Sequence, residues 1–127
     1  MFNVLIVDDT RSVHAFLKEL LSKSEGIAVE SAFNGVEAIR TLQKNKNFDL
    51  ILLDWEMPEM NGPDTVVELK RLGIQIPVMM MTTKNGADDI TRMLILGVSE
   101  YLMKPFTIDI LFEKMAFVTG RALNYAT

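Results

Sequence analysis

The chain has 127 residues, a formal net charge of −4 and 49% hydrophobic residues, with no cysteine and a single histidine. That length suits one globular domain with a core of its own and no need for disulfide or metal staples, while the acidic balance and scattered Lys and Arg oppose a nucleic-acid surface. The apolar runs are too short to span a membrane, no basic start with a cleavage pattern opens the chain, and no linker-like stretch divides it, so a cytoplasmic single domain over 1–127 with no attached output domain is expected.

Asn3 to Val7 reads as a strand buried on both faces, and it stops at Asp8-Asp9. Val13, Phe16, Leu17, Leu20 and Leu21 repeat on one helical face, which predicts a helix from Arg11 to Lys23 with Asp9 or Thr10 able to cap it. His14 falls on this helix beside charged residues and away from any strand end, a placement that predicts a solvated surface side chain. Ala28 to Ala32 follows as a second strand, and Asn34-Gly35 turns the chain into a helix from Val36 to Lys44. A third strand, Leu50 to Leu53, stops at Asp54.

Pro63 suits a first helical position, with Asn61 and Gly62 as turn and cap, so the third helix spans Pro63 to Leu72. The run from Ile76 to Met81 ends in Thr82-Thr83, and Pro77 sits at its opening, where a missing amide donor is tolerated. Within it, Met79, Met80 and Met81 point alternately to opposite faces and therefore pack rather than converge on a soft metal. The fourth helix, Ala87 to Leu96, ends at Gly97, which fits a left-handed cap. Met93 and Leu96 suffice for its buried stripe, so Ile90, Leu94 and Ile95 form a surplus expected to face a partner. Glu100 to Met103 makes a fifth strand that ends in Lys104-Pro105, and a helix from Thr107 to Leu123 follows.

This alternation predicts a parallel sheet covered by helices on both faces. Neighbouring parallel strands share one carboxyl edge, which would gather Asp8, Asp9, Asp54, Thr82 and Lys104 in a single crevice. A helix cap would account for Asp8-Asp9 alone, but it explains neither Asp54 at a second strand end nor Lys104 at another. Three crowded carboxylates against one ammonium cannot all stay ionised without a further cation. Oxygen-only ligands suit magnesium, and the lack of cysteine together with one histidine removes the ligand sets of zinc.

The acidic pair, Asp54, Thr82 and Lys104-Pro105 resemble the receiver domain of bacterial two-component response regulators over essentially the whole chain. The stretch Asp54-Trp55-Glu56-Met57-Pro58-Glu59-Met60-Asn61-Gly62 is similar to its counterpart in stand-alone chemotaxis regulators. The resemblance implies a flavodoxin-like doubly wound (βα)5 fold of strand order 2-1-3-4-5, with the crevice where that order reverses between strands one and three. It implies that Asp54 accepts a phosphoryl group from a sensor histidine kinase. Asp8, Asp9, Asp54 and the Glu56 backbone carbonyl would hold Mg2+, with Mn2+ as its substitute. By the same resemblance Lys104 pairs with a phosphoryl oxygen, Thr82 follows the phosphoryl group, Tyr101 is the aromatic of the switch, and the Lys104-Pro105 peptide is cis.

Glu56 and Lys84, two residues after Asp54 and Thr82, should border the site. Ile90, Leu94 and Tyr101 fall on the face expected to bind a downstream effector such as a flagellar motor switch component. Such a chain catalyses only its own phosphorylation and dephosphorylation, so it is not an enzyme toward an outside substrate. A phosphorelay shuttle, or a receiver cut from a larger regulator, has the same form. An aspartate-nucleophile phosphatase for small molecules would also carry a second acid two residues on, as in Asp54-Trp55-Glu56, but it needs a cap or substrate pocket. A receiver that binds partners without phosphorylation is opposed by the presence of every key residue.

Overall fold

The computed structural model describes residues 1–126. Strands and helices alternate as β1 (Phe2–Val7), α1 (Arg11–Leu21), β2 (Ile27–Ala32), α2 (Gly35–Lys44), β3 (Leu50–Asp54), α3 (Gly62–Arg71), β4 (Val78–Thr82), α4 (Ala87–Leu96), β5 (Glu100–Met103) and α5 (Ile108–Thr119). All strand pairs are parallel and the order is β2-β1-β3-β4-β5, the flavodoxin-like arrangement.

Because side chains alternate along each strand, the sheet splits its apolar residues between two cores. Leu5, Val7, Ile51, Leu53 and Met80 pack with Ala38, Leu42, Val66, Leu69 and Met93, which places α2, α3 and α4 on one face. Val4, Ile6, Leu50, Leu52, Met79 and Met81 pack with Leu17, Leu21, Leu111 and Met115, which places α1 and α5 on the other. The three methionines therefore diverge, as their alternation predicts. Burial of each such side chain contributes about 1.5–3 kcal/mol, and Leu5, Ile6, Leu52 and Leu53 have no exposed surface left.

Several boundaries follow local chemistry. Asn34 caps α2 by accepting from the Glu37 amide at 2.8 Å, and Asn61 caps α3 by accepting from the Asp64 amide at 2.9 Å. The end of α4 at Gly97, with φ 81°, is the left-handed cap the glycine predicts. Thr10 occupies the cap position of α1 without a side-chain hydrogen bond, and its own amide donates to Asp8 Oδ1 at 2.9 Å.

Three expectations are corrected. His14 is buried, with 3% of its surface exposed, because it shares a helix face with Leu17 and Leu21 while Phe16 turns outward. Second, α5 stops at Thr119 rather than Leu123: Gly120 takes φ 70°, and the chain turns back so that Tyr125 stacks on Phe112 with ring centroids 4.3 Å apart. Leu123 and Tyr125 thus reach the core from a returning tail, not from a longer helix. Third, Ile90 is partly buried against the core beside Met93, so the freely exposed large apolar residues of α4 are Leu94 and Ile95. Among the described residues, no helix is long and apolar enough to cross a membrane.

Candidate functional site

The carboxyl ends of β1, β3, β4 and β5 lie side by side, with Val7 opposite Leu53, Asp54 opposite Met81 and Thr82 opposite Met103. Asp54 is the last residue of β3, Thr82 the last of β4, and Asp8-Asp9 follow β1 directly. Asp8, Asp54 and Thr82 are buried, whereas Asp9 is exposed. Each of the three acids offers an oxygen within 4.8 Å of the others. Lys104, just past β5, donates to Asp54 Oδ1 at 2.9 Å and lies 3.4 Å from Asp8 Oδ2. The Lys104-Pro105 peptide is cis.

A shallow cavity of about 210 Å³ opens here, lined by Asp9, Thr10, Asp54, Trp55, Glu56, Thr82, Thr83 and Lys104. The floor is held tightly: the Gly62 amide donates to the Trp55 carbonyl at 2.7 Å, and a Cβ on Gly62 would meet the Asp54 carbonyl oxygen at 2.5 Å. Only glycine permits that approach. A larger cavity, about 420 Å³, lies beside Leu69, Lys70, Ile74 and Pro77 at the opposite edge of the sheet and is lined by no acid. Size is therefore no guide to the chemistry.

Electrostatics set the demands on the acidic end. Burial pushes the Asp54 carboxyl above its ordinary value; the Lys104 hydrogen bond pulls it back, the charges of Asp8 and Asp9 push it up again, and the net direction is upward. Burial works against the Lys104 ammonium, yet the Asp54 hydrogen bond and the two carboxylate charges outweigh it and raise its pKa. One ammonium thus leaves the three acids under-neutralised. An all-oxygen donor set with surplus negative charge fits a hard divalent cation.

Around the mouth, Glu56 and Lys84 form an ion pair at 3.2 Å, and the Lys84 amide donates to Thr82 Oγ1 at 2.8 Å. Lys84 and Arg92 both stand over the buried Trp55 ring, with charge centres 5.8 and 6.0 Å from its centroid. Tyr101 is half-buried against the α4 side of the core. With Ile90 and Leu94 it lines a separate small cavity of about 70 Å³. The residues expected at the output face are thus brought together, apart from the acids. His14 was not anticipated near the site, yet its Nε2 lies 2.7 Å from the Asp8 carbonyl oxygen. The spacing of residues 14, 17 and 21 is the sequence signal that could have put it on the buried face with Leu17 and Leu21.

Residues 4–116 match the family described as the response regulator receiver domain. Over 119 residues the chain is 37% identical to chemotaxis protein CheY1 of Helicobacter pylori, covering 92% of this chain and 96% of that protein. It is 42% identical over 122 residues to the transcriptional regulatory protein CpxR of Klebsiella pneumoniae, covering 96% of this chain but 51% of that protein. The structure of Vibrio cholerae chemotaxis protein CheY4 superposes with a TM-score of 0.85 at 31% identity, covering 93% of this chain and 98% of that one.

Proposed function

Because the chain belongs to the response regulator receiver family, we propose that it is a chemotaxis-type signalling switch in which Asp54 accepts a phosphoryl group from the phosphohistidine of a sensor histidine kinase. The observation that carries this reading is the pairing of a strand-end carboxylate, Asp54, with Lys104 at 2.9 Å beside two further acids. Phosphoryl transfer asks little of a protein beyond a placed nucleophile, charge neutralisation and alignment. An Asp54 carboxylate oxygen attacks phosphorus, the P–N bond of the donor breaks, and its electron pair returns to the departing imidazole. Asp8, Asp9, Asp54 and the Glu56 backbone carbonyl would hold Mg2+, or Mn2+ in its place, and the bound ion would supply positive charge for the transfer. Lys104 is already hydrogen-bonded to Asp54 and would exchange that contact for a phosphoryl oxygen. Thr82 supplies a hydroxyl to another oxygen, and this movement frees space for Tyr101 to turn inward.

On this reading the chain acts on itself alone, as one receiver domain in the cytoplasm, and signals by binding an effector such as a motor switch component. Similarity to CpxR supports a second reading, the receiver of a larger regulator, which uses the same site. The phosphatase alternative is disfavoured because the second acid, Glu56, is largely exposed and engaged by Lys84.

The test is incubation with a small acyl phosphate and magnesium, followed by intact mass. The expected result is a single phosphoryl adduct on the wild-type chain and none on Asp54→Asn. Undiminished labelling of Asp54→Asn overturns the assignment.

A further inference from the structure

Asp8 lies just beyond Val7, the last paired residue of β1. It is buried, and four contacts hold it. Its amide donates to the Ala32 carbonyl at 3.2 Å, and its Oδ1 accepts from the Thr10 amide at 2.9 Å. Its Oδ2 faces Lys104 at 3.4 Å, and its carbonyl oxygen receives His14 Nε2 at 2.7 Å. A buried carbonyl needs a donor, and here that donor comes from a side chain six residues along the chain.

The tautomer follows from the partners. The Asp8 carbonyl can only accept, so Nε2 carries the proton, and in the neutral ring Nδ1 accepts from the Ser31 hydroxyl at 2.8 Å. The ring is fixed further by Phe33, whose centroid is 4.3 Å away, with Arg11 5.4 Å from the Phe33 ring. The imidazole is therefore a strut from the end of β2 to the end of β1, with its orientation set at both nitrogens.

We propose that His14 is a positioning residue for metal binding: by donating Nε2–H to the Asp8 backbone it holds the Asp8 carboxylate in register with those of Asp9 and Asp54. The inference rests on the magnesium reading above. Without the donor, the Asp8 peptide must rotate to find another partner, and rotation at Asp8 moves its side chain away from the other two acids. Residues that orient ligands in this way commonly govern metal affinity by tenfold or more.

The experiment is calorimetric titration with magnesium chloride alone, with urea unfolding of each metal-free variant as a separate measure of stability. His14→Leu is expected to raise the Mg2+ Kd roughly tenfold. His14→Gln, whose side-chain amide still reaches the Asp8 carbonyl, is expected to stay within about threefold of wild type, since a rescued donor restores the ligand. At saturating magnesium, acyl-phosphate labelling of His14→Leu should recover. If His14→Leu does not fold, His14→Asn replaces it, because that amide is too short to reach Asp8 and must bind magnesium equally poorly. Wild-type affinity in a folded His14→Leu or His14→Asn overturns the proposal, as does a His14→Gln no better than leucine. Failure of the wild-type chain to bind magnesium would instead overturn the metal reading, and this inference with it.

Discussion

Glu56 and Lys84 meet across the mouth of the acidic crevice at 3.2 Å, and both carry substantial exposed surface. Exposed pairs of this kind contribute about 0–1 kcal/mol to stability, so the consequence of the contact is kinetic. On the proposed reading, water attacking a phosphorylated Asp54 would approach past this pair, and Lys84 stands over the Trp55 ring. Glu56→Ala and Lys84→Ala are each expected to shorten the lifetime of the phosphorylated chain about threefold, a barrier change of roughly 0.7 kcal/mol. Loss of the adduct mass with time after donor removal gives the rate. An unchanged half-life in both variants would show that the pair does not act as a lid.

The loop between β3 and α3 carries a different tension. Glu59 adopts φ 67°, and among the described residues it is the one non-glycine with positive φ. A side chain in that region costs about 1–2 kcal/mol, part of which a glycine would return through its freer unfolded state. Glu59 is exposed, so no packing compensates. Glu59→Gly should therefore stabilise the fold by about 0.5–1 kcal/mol, read as a higher urea midpoint with an unchanged m-value. A lower midpoint would mean that the Glu59 side chain supports the loop in a way its exposure hides. Gly62, the first residue of α3, shows the opposite constraint, since its lack of a Cβ lets the helix begin against the Asp54 backbone.

Phosphorylation can reach a partner only if the two states of the chain differ in affinity for it. The proposed output surface on α4, β5 and α5 would supply apolar area for such a difference: Leu94 is 70% exposed, Ile95 77% and Phe117 78%. Ile90 and Tyr101 lie behind it, packed on the core shared with Met80 and Met93. That division separates binding from stability. Joint exchange of Leu94 and Ile95 for serine should weaken phosphorylation-dependent effector binding about tenfold or more, roughly 1.4 kcal/mol, while labelling of Asp54 and the unfolding midpoint stay near wild type. Ile90→Ser serves as the contrast, since it strips a core contact and should lower stability by about 1–3 kcal/mol. Wild-type effector affinity in the double variant would move the output surface elsewhere.

Much of this was legible in residues 1–127 because the signals are local. Continuous apolar runs ending at Asp8, Asp54, Thr82 and Lys104 mark buried strands, and 3.6-residue periodicity marks the helices between them, so the alternation and its shared carboxyl edge follow without coordinates. The strand order came from likeness to known receivers, since apolar runs do not say which strand lies beside which. Rotation of each helix about its axis depends on the sheet surface it meets, and for that reason His14 turned inward while Phe16 turned out, and Ile90 joined the core while Leu94 did not. The end of α5 was similarly hidden: Leu123 and Tyr125 keep an apolar pattern going, but Gly120 reverses the chain and they reach the core from the other direction. Composition and spacing name the groups that meet at the crevice. Their separations, and the hydrogen bond from His14 to Asp8, depend on long-range packing that no local pattern encodes.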